Sequence, residues 1–270
     1  TDPKLADFTP PAVAWLQARQ AEEGPFRITA LGDKALLAPN LALILGLEDL
    51  RGYDSIIPRQ YVDTVRQIGD QDLLLYNQVA PLRKSDSLDS PLLDLLGVRY
   101  VLSSRSIDRP GWTLAYDGEV KIYRNDAALP RAFFADTVSG RVPITVADNP
   151  AAATLATAPG GAGDRVSITH RAGNGLDLDV TRSGGDGLLV VADSYFPGWQ
   201  AYLTPADGSA PEQATPILRV SDNFQGVVVP PGAWRLRLTY SPMSVKVGLY
   251  LSFVALATLM FLLGFAGWRR

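Results

Sequence analysis

Two stretches gather residue types that can handle a sugar or a phosphate. The first is Leu47-Glu48-Asp49-Leu50-Arg51-Gly52-Tyr53-Asp54, preceded by Ala38-Pro39-Asn40. Its carboxylates, guanidinium and phenol surround a glycine, a set that can bind sugar hydroxyls or pair Arg51 with a phosphate. Equally, Arg51 can close an internal ion pair with an aspartate in an ordered loop. Asp49, Arg51, Tyr53 and Asp54 are therefore candidate ligand contacts. The second stretch is Ser194-Tyr195-Phe196-Pro197-Gly198-Trp199. Tyr195 and Trp199 can stack on sugar rings or sit at a lipid interface, and the same segment also reads as a Pro-Gly turn whose aromatics cover a sheet edge.

Other chemistry-bearing patterns reduce to structure. Asp177-Leu178-Asp179 has the spacing of a paired-aspartate metal site, but on a strand these two residues form the wet face opposite Leu176, Leu178 and Val180. His170, the only histidine, closes a strand with no ligand set nearby. Gly160-Gly161-Ala162-Gly163 and Gly184-Gly185-Asp186-Gly187 each precede a strand instead of a helix N-terminus, so they read as turns and not as phosphate loops.

Composition narrows the chemistry further. The 270 residues are 47% hydrophobic and 20% charged, with a net charge of −3, a pI near 5.2 and a mean hydropathy of +0.05. An acidic chain argues against nucleic acid as a partner. The absence of cysteine excludes disulfides, cysteine nucleophiles and thiolate metal sites, and a single histidine leaves no histidine cluster.

The elements that must position these residues change character along the chain. Thr9-Pro10-Pro11 followed by AVAWLQARQAEEG predicts a helix with threonine near its N-cap and Gly24 as its stop. Phe26–Leu31 and Val98–Leu102 alternate as strands, Pro39–Leu47 reads as one or two helical turns, and Pro58–Ile68 and Leu88–Leu96 read as helices. Asp117-Gly118-Glu119 joins Trp112–Tyr116 to Val120–Arg124 as a hairpin. The Ala/Gly-rich stretch 148–164 contains a helix signal, with Asn149 as N-cap and Pro150 in the first turn. Beyond it the period becomes two, from Val166/Ile168 to Trp234/Leu236/Leu238/Tyr240, and six to eight short strands predict a β-sandwich whose last two are joined as a hairpin by Pro230-Pro231-Gly232. The expected fold is α+β: a mixed α/β module over 1–130, an antiparallel β-sandwich over 131–243, and one transmembrane helix with a short tail over 244–270.

That helix rests on Val247–Trp268, 22 residues without a charge. At ~1.5 Å per residue they cover about 33 Å, enough for the hydrocarbon core of a bilayer. Arg269 and Arg270 follow directly, which by the positive-inside rule predicts a cytoplasmic C-terminus and an extracytoplasmic head. Without those two arginines the net charge of −3 becomes −5, so the head is acidic. A start at Thr1, with no targeting segment before an exported head, predicts a further portion upstream.

Taken in order, several segments resemble the C-terminal extracytoplasmic region and last transmembrane helix of the YfhO family of bacterial multi-pass membrane proteins. They are Ala38-Pro39-Asn40 with Asp49 to Asp54, Leu95-Leu96-Gly97-Val98-Arg99-Tyr100-Val101-Leu102, Leu129-Pro130-Arg131-Ala132-Phe133, Tyr195 to Trp199, and Pro231-Gly232 to Tyr240-Ser241-Pro242. The resemblance implies a C-type glycosyltransferase-like protein that uses a polyprenyl-phosphate-linked sugar to modify a cell-envelope glycan. Its catalytic acids would lie in an early loop with no counterpart here, so no catalytic residue is carried over and the chain alone is expected to be inactive. No cofactor is implied for this chain, and a divalent cation would belong to the upstream membrane core. The implied partners are the bilayer, the lipid-linked sugar, the envelope glycan and the upstream membrane helices. The alternative is a single-pass envelope protein whose sandwich binds carbohydrate or protein without catalysis.

Overall fold

The computed structural model describes residues 9–32, 36–38, 40–55, 57–69, 78–138, 140–142, 144–146, 149–157 and 159–269. Thr1, Pro39, Asp148 and Arg270, which enter the sequence reading, lie outside the described residues.

In the first half, α1 (Pro11–Glu23) leads into β1 (Arg27–Leu31), which pairs in parallel with β2 (Glu48–Asp49) and β5 (Val98–Ser103). The hairpin β6 (Trp112–Asp117) and β7 (Lys121–Asn125) extends this mixed sheet antiparallel, in the order β2-β1-β5-β7-β6. A two-stranded ribbon, β3 (Gly52–Tyr53) and β4 (Gln78–Val79), and the helices α2 (Leu41–Ile44), α3 (Arg59–Arg66) and α4 (Pro91–Leu95) complete this half. Thr9 does not cap α1, because Pro10 takes the cap position without a side-chain bond. The free N–H of Ala12 instead donates to Glu119 Oε1 at 2.7 Å, so the β6–β7 turn caps the helix from a distance. The helix expected over Leu88–Leu96 is split into a 3₁₀ turn at Ser85–Asp89 and α4. Pro91 disfavours helical torsions at the preceding residue, and Ser90 is extended with ψ 122°.

The second half is an antiparallel sandwich. One sheet orders β14 (Leu218–Val220), β15 (Phe224–Val229), β11 (Gly187–Ser194) and β8 (Ala132–Phe134). The other orders β13 (Gln213–Thr215), β12 (Trp199–Pro205), β16 (Gly232–Tyr240), β10 (Gly175–Arg182) and β9 (Arg165–Ala172). Leu176, Leu178, Val180, Leu236 and Leu238 meet Phe134, Leu189, Val191, Val227 and Val229 between the sheets. The period-two pattern therefore marks the buried face correctly. Pro230-Pro231-Gly232 does not make a hairpin: β15 and β16 lie in different sheets, and the turn carries the chain across the core. Two successive prolines lack the N–H groups that a ladder needs, and Pro230 O accepts instead from Trp234 Nε1 at 3.0 Å. The Asn149 cap forms as expected, its Oδ1 accepting from Ala152 N at the start of α5 (Pro150–Leu155).

Strand β11 is apolar on both faces. Leu189 and Val191 point into the sandwich, whereas Leu188, Val190 and Ala192 pack with Val62, Val65, Leu93 and Val101 of the first half. The sheets change near residue 131, but one hydrophobic core runs through that point.

The last element, α6 (Met243–Trp268), is long and apolar enough to cross a membrane, and none of it is buried against the head. A fully exposed apolar helix fits association with a membrane.

Because Leu236 is 1% exposed in the sandwich core, Leu236→Ala should cost roughly 2–5 kcal/mol in chemical denaturation. Arg237, an exposed partner of Glu212 that also lies over the Tyr202 ring, should cost no more than about 1 kcal/mol when replaced by alanine. Equal losses would mean the wrong face has been assigned.

Candidate functional site

The carboxylate-rich loop folds around an ion pair. Arg51 Nη2 and Nε donate to Asp49 at 2.6 and 3.0 Å, and Nη1 donates to Leu36 O at 2.9 Å, so all three guanidinium nitrogens are engaged. Both side chains are buried, at 1% and 5% exposure. Burial pushes the Asp49 carboxyl above its ordinary pKa, and the Arg51 bonds and charge offset only part of that shift. Of the two chemistries open to Arg51 in the sequence, the structure builds the internal pair.

Tyr53 and Asp54 emerge from this scaffold into solvent. Tyr53 is held through its backbone: its N–H donates to Asn40 Oδ1 at 2.9 Å, and Asn40 Nδ2 returns a bond to Tyr53 O. Asn40 sits at φ +66°, a conformation asparagine tolerates. Together these residues border a cleft of about 360 Å³ whose wall includes Leu43, Tyr61 and Ser194. The Tyr61 hydroxyl donates to Leu50 O at 2.6 Å, and burial raises its pKa to about 12, so it stays protonated.

A second cavity of about 320 Å³ shares Asn40, Leu43, Asp49, Arg51 and Tyr61 and reaches Arg27 and Glu48. A third, of about 460 Å³, shares Leu43, Leu47 and Glu48 and reaches His170 and Arg171. The three form a groove along the seam between the first half and the sandwich.

The floor of that seam is a charge cluster that sequence inspection does not reveal. Arg27 and Arg131 both donate to Leu96 O, at the end of α4, and to Ala192 O in β11. Asp193 accepts from both, Glu48 lies 3.3 Å from Arg131, and Arg171 bridges Glu48 and Asp193. Three guanidiniums thus face two carboxylates. Burial lowers the Arg131 pKa to about 10, with Arg27 adding to the shift and Asp193 and Glu48 opposing it. Burial alone would raise Asp193, but Arg131, Arg27 and Arg171 together hold it down at about 2. The available sequence signals were an arginine leading into Ala132-Phe133-Phe134 and an aspartate ending the apolar run Leu188–Ala192.

The second sequence candidate divides. Ser194 lines the cleft and Tyr195 O accepts from Gln60 Nε2 at 2.9 Å, which ties this loop to α3. Trp199 turns away and packs on Tyr240, with ring centroids 5.4 Å apart. Gly198, at φ +111°, brings the loop against the start of α6: a Cβ there would lie 2.8 Å from Pro242 Cβ. Asp177 and Asp179 lie opposite Arg237 and Arg235 in the ladder, as wet-face residues. Among the described residues no group of three or more His, Cys, Asp or Glu side chains could hold a metal ion. Buried Arg182 is paired with Asp136 and Asp164 beneath Gly160, where a Cβ would collide with Asp136 Oδ2.

Comparison with protein-family models, curated proteins and solved structures finds no match.

Removing the Arg51 guanidinium strands the Asp49 carboxyl, so Arg51→Ala should cost about 3–5 kcal/mol of stability. Asp54→Ala, at an exposed position, should stay within about 0.5 kcal/mol. Thermal unfolding of both variants in detergent checks this, and a stable Arg51→Ala variant would remove the scaffold role. The depressed Asp193 pKa stabilises the fold above the unfolded value of 3.8, and that contribution is lost as pH falls towards about 2. Asp193→Asn should therefore lower the unfolding midpoint at neutral pH, and the gap to the unmodified chain should close between about pH 4 and pH 2. A gap independent of pH would show that Asp193 does not titrate in this way.

Proposed function

We propose that this chain is the membrane-anchored, extracytoplasmic C-terminal part of a glycosyltransferase-like protein of the kind the YfhO resemblance implies. Its head positions a polyprenyl-phosphate-linked sugar or the envelope-glycan acceptor, and it does not carry the catalytic base. The observation that supports this reading is where the groove opens. Ser194 and Arg171 lie at strand ends next to Trp199, Asn174 and Tyr240, from which the chain passes into α6. A ligand held in the same bilayer would reach the groove without leaving the lipid surface.

In this reading Tyr53 and Asp54 offer a ring face and a carboxylate acceptor to sugar hydroxyls, while the surplus guanidinium of the seam attracts the phosphate. Arg269 and Arg270 stay in the cytoplasm, with the head outside. Upstream membrane helices of the same protein supply the catalytic acids and any divalent cation.

The full chain in phosphatidylcholine nanodiscs should be stabilised by a polyprenyl-phosphate hexose, by about 2.7 kcal/mol at a hundredfold excess over Kd. Tyr53→Ala/Asp54→Ala should lose that response while unfolding normally without ligand, and no sugar transfer should occur. An unchanged midpoint would overturn the reading. Stabilisation by a soluble glycan oligosaccharide alone would replace it with a carbohydrate-binding head that performs no catalysis. In intact spheroplasts the same reading requires external protease to digest the head and spare a C-terminal tag.

A further inference from the structure

Outside α6, six large apolar or aromatic side chains among the described residues are exposed: Leu41, Leu43, Ile44, Tyr53, Leu114 and Phe196. Five of the six gather at one end of the molecule. Leu43 lines the cleft with Tyr53 and Ser194, and also the cavity with His170 and Arg171. Leu41 and Ile44 belong to the same single turn, α2. Phe196 lies two residues beyond Ser194 and faces Tyr240 with centroids 6.4 Å apart.

This end is also where the chain leaves the head. Tyr240 N donates to Asn174 O and Ser241 N to Gly198 O, both at 2.8 Å, and Pro242 packs on Gly198. The chain is thus pinned to the head up to the residue before α6 begins at Met243. With no slack between them, the end that carries Tyr240 must face the surface that α6 enters.

We propose that this end of the head is a bilayer-contact surface and that α2 inserts Leu43 and Ile44 among the lipid headgroups of the membrane that holds α6. Leu43 and Ile44 are 79% and 81% exposed in water, an arrangement that burial in the interfacial layer relieves. The patch is continuous with the apolar surface of α6 through Phe196, Trp199 and Tyr240, aromatic types that favour the interface. Anchored at two points, the head lies with its seam groove against the lipid surface. This inference rests on α6 being membrane-embedded, as proposed above.

The chain has no cysteine, so single labelling sites can be introduced without removing any. Ile44→Cys, Leu256→Cys in α6 and Asp186→Cys in the β10–β11 turn at the opposite end would each carry an environment-sensitive fluorophore. Each full chain is reconstituted into vesicles of phosphatidylcholine and phosphatidylglycerol containing doxyl-labelled phosphatidylcholine. The label at 44 should show a blue shift, quenching by the doxyl lipid and loss of quenching by aqueous iodide, while the label at 186 remains open to iodide. Iodide quenching at 44 equal to that at 186, with the label at 256 quenched by lipid, overturns the contact and leaves the anchor intact. Shielding at 44 without lipid quenching means a second copy covers α2 and also overturns it. Absence of lipid quenching at 256 overturns the anchor and the contact together.

Discussion

Burying Arg131 forces much of the remaining architecture into place. A guanidinium at 2% exposure must satisfy its donors inside the protein or forfeit several kcal/mol of solvation. Its acceptors come from three segments: Leu96 at the end of α4, Ala192 and Asp193 in β11, and Glu48 in β2. Arg27 shares the same two carbonyls, and Arg171 closes the carboxylates from β9. Gly97, at φ +69° between α4 and β5, lets the chain turn beside Arg131, where a Cβ would lie 3.4 Å from its Cδ. The cluster can form only when the mixed sheet and the sandwich are docked, so it ties the seam to the fold of both.

Apolar packing supplies the docking energy that this polar contact specifies. Sheet β14-β15-β11-β8 serves as a central layer: one face closes the sandwich and the other receives α3, α4 and β5. A strand covered on both sides needs apolar residues at every position, and Leu188–Ala192 meets that need. The two halves therefore share a core, and the groove between them is a surface feature of one folded unit.

The groove, the aromatic loop and the exposed turn α2 converge on the end of the head next to α6. The Asp49–Arg51 pair contributes by shaping rather than by exposing charge: it holds the loop so that Tyr53 and Asp54 project into the cleft. Such fixed geometry accords with the ligand-positioning role proposed for the head, because orientation is settled before binding.

Features governed by neighbours a few residues away were legible in the sequence. The uncharged run of α6, the alternation that buries Leu176, Leu178, Leu236 and Leu238, the Asp117-Gly118 hairpin and the Asn149 cap each depend on local torsions or on periodicity. Of the candidate site, Asp49 to Asp54 could be recognised as a cluster, and Ser194 beside Tyr195 proves to share its cleft. Tertiary structure alone decided that Arg51 is an internal partner, that Glu119 caps α1, that β15 and β16 belong to opposite sheets, and that Arg27, Arg131, Arg171, Glu48 and Asp193 meet. The role of a charged side chain is set by which opposite charges and carbonyls share its low-dielectric surroundings. Here those partners are up to 166 residues away in the chain, a separation at which neither period nor spacing carries information.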